Sequence, residues 1–432
     1  MNHGRRTVLG MALLGALEPV WAAAPGAGHA HAALARELAE IARDPACELA
    51  SLSVLAIRDG KVAYEGAFGR RRIGKGAAPD LPATSDTLYR IASVSKLMTT
   101  LGLMRLVEDG KFDLDADVSA YLGFTLRNPH FPQHAITLRH LLTHTSSLRD
   151  EAGYSFPVGA RLRDFFNAGE GAMYARHAEP GAFYAYCNLG WGIIGTMMER
   201  ATGERFDRLM ARLLLQPLGL EAGYYPAELP PPALANLATL YRKRTVDTEV
   251  WSAAGPWIAQ ADDYSAKPPA LVPGNYVIGE NATPFSPTGG LRISARGLGT
   301  VMLMLMNGGV HEGRRILKAD TLAQMFARQF TATEQGSVYN TADGQFTARG
   351  LGNAHYPDEP GKRLAAGFDA VGHLGDAYGL RSVFAFDARR RNGMVVLVGG
   401  TSADPAALPG HYSALAAFEE NILTSMFRHA LA

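Results

Sequence analysis

The chain has 432 residues, 47% of them apolar and 19% charged, and a formal net charge of +1. That length is more than one compact core usually holds and predicts two subdomains sharing an interface. The near-neutral balance gives no reason to expect nucleic acid or an acidic membrane surface as partner, and no run reaches the ~18 apolar residues of a spanning helix.

The first residues read as an export signal. Arg5-Arg6 is followed by Thr7-Val8-Leu9, an apolar run to Leu17 and the small residues Ala22-Ala23-Ala24. This pattern fits a twin-arginine leader over residues 1–24, with a general secretory leader as the alternative. The mature protein is then expected in the periplasm or outside the cell, without stable membrane insertion. No cysteine ends the apolar run, so a lipid anchor is not indicated. Cys47 and Cys187 make no disulfide framework. His29 and His31 lie in an Ala/Gly-rich stretch, and no Cys/His spacing matches a zinc site. Neither a metal nor an organic cofactor is expected.

From Ala33 to Arg43, Leu34, Leu38 and Ile41 share one helical face. The apolar run Ser51–Ile57, the turn residues Asp59-Gly60 and the run Val62–Glu65 predict a hairpin. A strand-like stretch ending at Ile91 then gives way to an apolar helix from Ser93 that stops at Asp109-Gly110. Helices are predicted around Leu138–Leu142, from Gly190 towards Arg200, and from Phe206 to Leu215. Residues 221–287 differ: they hold 10 of the 24 prolines and little periodicity, as either a pocket wall or a surface insertion would. A helix through Leu298 and Leu305 follows, then strands Val371–Leu374, Ser382–Phe386 and Met394–Val398, and a last helix from about Ser413 to His429. The order predicts an α+β fold: an antiparallel sheet built from both chain ends, flanked by terminal helices, with a mostly α-helical subdomain inserted. One catalytic domain over residues 33–432 is expected, its α/β part at about 33–90 plus 290–432 and its helical part at about 91–289.

Three short motifs carry chemistry. Ser93 and Lys96 are three residues apart, so both side chains share one helical face, and an amine of lowered pKa can take a proton from a hydroxyl. A chain of this length holds about one Ser-x-x-Lys by chance, so the pair counts only in context. Tyr186 and Asn188 are one residue apart and point the same way in an extended segment. A phenol carries protons if a nearby ammonium lowers its pKa, and an amide orients a lysine or a carbonyl. Read singly, Tyr186 is a core-edge tyrosine and Asn188 a helix N-cap. In Gly372-His373-Leu374-Gly375-Asp376 the glycines let a ligand approach the strand edge. His373 could donate to a substrate or to the tyrosine, or simply be a partly buried histidine.

In this order the motifs resemble those of the penicillin-recognising serine hydrolases: class C β-lactamases, DD-peptidases, D-aminopeptidases and related esterases. Leu106–Lys111, Leu141–Ser146, Gly289-Gly290-Leu291 and Gly308-Gly309 extend the resemblance over nearly the whole mature chain. It implies Ser93 as nucleophile, Lys96 as its activator, Tyr186 as proton shuttle, and Asn188, His373 and Gly375 as substrate-binding or orienting residues. It places the oxyanion hole at the backbone N–H groups of Ser93 and Asp376. The reaction implied is hydrolysis of a small-molecule or peptide ester or amide through an acyl-enzyme, with a non-catalytic sensor on the same fold as the rival reading.

The departures concern substrate. The third motif is His373-Leu374-Gly375 where Lys-Thr-Gly is common, and leucine donates no hydrogen bond. Carboxylate recognition is therefore weakened unless Arg292 or Arg381 supplies it. This favours esterase- or peptidase-like activity over a true β-lactamase, with D-alanyl-D-alanine carboxypeptidase or class C-like β-lactamase as alternatives. The Asp376 charge is expected to point away from the site or to pair with a cation. Cys187 is expected to be packed and unreactive. Ser147 stands where the family commonly has glycine.

Overall fold

The computed structural model describes residues 27–167, 171–331, 337–339 and 348–432. The leader expected at residues 1–24 lies outside the described residues.

The Ser51–Arg58 strand lies within a nine-stranded sheet whose pairs are all antiparallel. One neighbour is Lys61–Arg72, reached through the Asp59-Gly60 turn, and the other is Asn392–Val398 from the far end of the chain. Leu52 stands opposite Val398 and Ile57 opposite Gly393. Both faces of this strand are covered. Leu52, Val54 and Ala56 join one core, and Leu55 and Ile57 join the other. A strand buried on both faces reads as a near-continuous apolar run, and here Val54–Ile57 is one, with the small Ser51 and Ser53 buried before it.

The terminal helices Ala27–Ala42 and Ala417–Met426 cover one face with Leu34, Leu38, Phe418, Ile422 and Leu423. The Ala295–Met306 helix covers the other, and a Cβ on its Gly299 would come within 2.7 Å of Leu55 Cδ1, so helix and sheet approach closely there. Beyond it, the helices Val94–Glu108 and Leu189–Thr202 share a core through Leu101, Met104, Ile194 and Met198. The α+β fold read from the sequence, with a sheet drawn from both chain ends, is the fold observed.

Two boundaries differ. The last α-helix is shorter than expected, and a wider π turn over Phe427–Leu431 finishes it. Within the Pro-rich stretch, the strand Leu240–Lys243 pairs with Trp257–Ala261 on one side and with Gly400–Thr401 on the other. Cys47 and Cys187 are both free and buried. Among the described residues no helix is long and apolar enough to cross a membrane.

Candidate active site

Ser93 sits between the short strand Tyr89–Arg90 and the helix Val94–Glu108. Ala92 before it has φ 46°, a left-handed conformation that costs a residue with a Cβ free energy. That kink delivers Ser93 to the first turn of the helix, where free backbone N–H groups favour negative charge.

Lys96 lies one turn on and is fully buried. Its Nζ is 3.0 Å from Ser93 Oγ, 2.7 Å from Asn188 Oδ1 and 3.1 Å from the Thr288 carbonyl oxygen. Burial lowers its pKa to about 7; the Asp150 carboxylate opposes that shift and the Arg349 guanidinium adds to it. A neutral amine has two N–H donors and one lone pair. With Asn188 and Thr288 taking the donors, the lone pair faces the Ser93 hydroxyl, which is the geometry of a base.

Tyr186 completes this corner. Its phenol shares a hydrogen bond with Ser93, and its ring lies 5.0 Å from Lys96 Nζ. The other face stacks on His144 at 4.2 Å between centroids, and His144 Nδ1 accepts the Cys187 N–H at 3.0 Å. The condition set for the phenol, a pKa lowered by a nearby ammonium, is not what the site provides. Burial dominates and lifts the Tyr186 pKa to about 12, so Tyr186 is a protonated phenol beside an amine that titrates near neutrality.

Asn188 has helical backbone, φ −74° and ψ −33°, and not the extended form expected. It occupies the N-cap position of the Leu189–Thr202 helix, but its side chain makes no cap. Asp150 does that work instead. Its carboxylate accepts from Asn188 N at 2.8 Å, Leu189 N at 3.0 Å and Asn188 Nδ2 at 2.9 Å. The last bond turns the Asn188 carbonyl oxygen towards Lys96. The Cys187 thiol, pushed well above its usual pKa by burial, donates to the same carboxylate. The packed, protonated cysteine is as expected.

The third motif lies on the strand Ala370–Ala377, antiparallel to Leu380–Asp387. Gly375 abuts the nucleophile: a Cβ there would fall 2.3 Å from Ser382 Oγ, 2.7 Å from the Ile91 oxygen and 3.1 Å from Ser93 N. Ser382 Oγ donates to Ile91 O at 2.9 Å, tying the neighbouring strand to the same segment. Gly375→Ala is expected to push strand and nucleophile apart and lower kcat for an activated ester about 10²-fold, read by steady-state kinetics. His373 is buried and absent from the cleft lining. Its Nδ1 donates to the Leu374 carbonyl, and burial holds its pKa well below the usual value. The ring stands 6.5 Å from that of Tyr186, as a neutral group behind it.

Neither arginine named for carboxylate binding is open. Arg292 is buried and holds both oxygens of Asp262, at 2.7 and 3.1 Å. Arg381 borders the cleft but is held by Glu419 at 2.9 Å and Asp376 at 2.6 Å. The Asp376 charge is thereby paired with a cation, as expected. Ser147 takes φ 62°, which explains why glycine suits that position, and its hydroxyl donates to the Ala178 oxygen at 2.9 Å.

Ser93, Tyr186, Asn188 and Gly375 border one cleft of about 1150 Å³. Arg242, Gln260, Thr283 and Pro284 also line it, so the Pro-rich stretch forms a pocket wall. Sequence reasoning missed Asp150 and Arg349. Arg349, wholly buried, lowers the pKa of Lys96, His144 and His373. Among the described residues no group of three or more potential ligands is placed to hold a metal.

A family profile described as Beta-lactamase matches residues 31–418. Esterase EstB of Burkholderia gladioli is 34% identical over 192 residues, which are 40% of this chain and 47% of that protein. The D-alanyl-D-alanine-carboxypeptidase/endopeptidase AmpH of Escherichia coli strain K12 is 31% identical over 178 residues, 40% of this chain and 44% of that one. The chain thus spans less than half the length of these two relatives. The D-amino acid amidase of Ochrobactrum anthropi, solved with L-phenylalanine amide, superposes with a TM-score of 0.63 at 19% identity, covering 94% of this chain and 97% of the other. The profile match takes in the sheet, the helical insertion and every residue of the cleft corner described above, and the chain belongs to the beta-lactamase family.

Proposed function

We propose that this protein is an exported serine hydrolase that cleaves an ester or amide bond through an acyl-enzyme on Ser93, and prefers esters to β-lactams. The observation that carries the reading is Lys96 Nζ at 3.0 Å from Ser93 Oγ, with the Tyr186 phenol hydrogen-bonded to the same serine. Ser93 loses its proton to Lys96 as Oγ attacks the carbonyl carbon. The negative charge on the carbonyl oxygen is met by the N–H groups of Ser93 and Asp376. Tyr186 hands its proton to the leaving group and regains one from Lys96. Water then attacks the acyl-enzyme, giving its proton to the same basic pair, and Ser93 is released.

The ester preference rests on Leu374, on the buried neutral His373 and on the occupied Arg381. None of them supplies a carboxylate clamp at the third motif. A panel of p-nitrophenyl acyl esters, D-Ala-D-Ala peptides, D-amino acid amides and nitrocefin tests it. Ester turnover is expected to exceed nitrocefin turnover; the reverse order refutes the preference. Labelling by a fluorescent phosphonate, lost in Ser93→Ala, separates the enzyme from a non-catalytic sensor.

A further inference from the structure

Four cations stand out in or near the cleft. Arg292 and Arg381 have carboxylate partners, and Arg242 is packed over the Trp251 ring at 5.1 Å. Arg90 is different. It precedes Ser93 by three residues, is half-buried, and lines the cleft. Its Nε donates to the Gly289 carbonyl oxygen at 3.1 Å, and its guanidinium carbon lies 4.7 Å from the Tyr378 ring centroid. These two contacts fix the plane of the group without neutralising it. No carboxylate lies within ion-pair distance of it among the described residues.

The neighbouring strand makes the contrast sharp. Arg90 stands directly opposite Arg292 in the pairing of Tyr89–Arg90 with Arg292–Ile293. Asp262, whose charge acts on both cations, has both oxygens taken by Arg292, and the Tyr264 hydroxyl donates to one of them at 3.1 Å. The guanidinium of Arg90 is therefore partly desolvated, beside a like charge, with its two terminal nitrogens uncommitted. A cation in that state gains more from an arriving oxyanion than one already paired. The planar fork of arginine suits a carboxylate, which takes two parallel N–H donors.

We propose that Arg90 is a specificity-determining residue that receives a carboxylate of the substrate at the Tyr378 end of the cleft, so that the preferred esters carry a free carboxylate away from the scissile bond. The inference rests on the Ser93 hydrolase reading and refines its substrate class. It also relocates the anion site. The third motif lacks a clamp, and Arg90, on the short strand before Ser93 and against the Tyr378 ring, offers one.

Matched pairs of esters test it. One pair is the mono-p-nitrophenyl ester of glutaric acid against p-nitrophenyl butyrate, which differ by a carboxylate on the acyl group. The other is p-acetoxybenzoate against its methyl ester, which differ by a carboxylate on the leaving group. The wild-type protein is expected to favour the anionic member of at least one pair by about tenfold in kcat/KM. That ratio is expected to collapse towards one in Arg90→Gln, to survive in part in Arg90→Lys, and to shrink with added salt. The pair that shows the effect tells which side of the ester carries the carboxylate. Neutral esters preferred in both pairs by the wild type, or an anionic preference unchanged in Arg90→Gln, overturns the proposal while leaving the hydrolase intact. Absence of Ser93-dependent turnover on any of the four esters is instead a failure of the hydrolase reading. Should Arg90→Gln not fold, the wild-type ratios and the Arg90→Lys variant still decide.

Discussion

Lys96→Met is expected to lower kcat/KM for p-nitrophenyl esters on the order of 10³–10⁴-fold, because the Ser93 hydroxyl loses its proton acceptor. Ser93→Ala goes further, on the order of 10⁵–10⁶-fold, to whatever the backbone donors and binding alone provide. The pH profile carries the mechanism. With the Lys96 pKa at about 7, kcat/KM of the wild type rises with unit slope through that pH and then levels off. Tyr186, at about 12, keeps its proton throughout and contributes no limb in the neutral range. A rate independent of pH between about 5 and 9 would remove Lys96 as the base. The same shift acts on stability. The folded-state pKa lies below the unfolded value of 10.5, so the unfolded chain binds the extra proton between about 7 and 10.5. The cost of burying the amine is fully present below pH 7, on the order of 5 kcal/mol, and is gone above the unfolded pKa. The melting temperature of Lys96→Met relative to wild type should therefore be most favourable near pH 6 and decline towards pH 10.

Asp150→Ala is the second large effect. The carboxylate caps the Leu189–Thr202 helix, holds the Asn188 amide and accepts from the Cys187 thiol, so four donors lose their acceptor at once. Stability is expected to fall by about 2–3 kcal/mol, measured by urea unfolding. Asn188 then no longer presents its carbonyl oxygen to Lys96, and kcat is expected to fall about 10²-fold with a smaller change in KM. One readout separates positioning from general loosening. Asp150 raises the Lys96 pKa, so removing its charge moves the acid limb of the pH profile below 7. A limb that stays in place, or moves up, leaves Asp150 as a helix cap only.

The cleft corner was legible where its chemistry is local. Ser93 and Lys96 meet because three residues make about one helical turn. Tyr186 and Asn188 were found by their spacing, although the extended backbone that spacing suggested is not what orients Asn188. Asp150 was not legible. It reaches the helix from 38 residues upstream, and an isolated aspartate before a loop carries no signature of that bond. Arg349 and the burial of His373 are tertiary facts for the same reason. The direction of the tyrosine shift is not legible in the sequence either, because it is set by full burial, a tertiary property. The paired strands of the Pro-rich stretch show little periodicity because Trp257–Ala261 is only half-buried along its whole length.

The pairing of Leu52 with Val398 has a consequence for how the molecule comes together in time. The strand at the heart of the sheet leaves the ribosome well before its partner Asn392–Val398, which lies far along the chain. Ser93 and Lys96 can sit on a formed helix long before Gly375 and Asp376 reach them. Closing so long a loop is slow, and the intermediate exposes an unpaired strand edge meanwhile. On the proposed mechanism, half of the acyl-transfer machinery thus waits for the last strands. A nascent chain stalled before residue 370 carries the nucleophile but no oxyanion hole. On the proposed mechanism, catalytic competence would follow closure of the sheet, and the serine would stay idle until then.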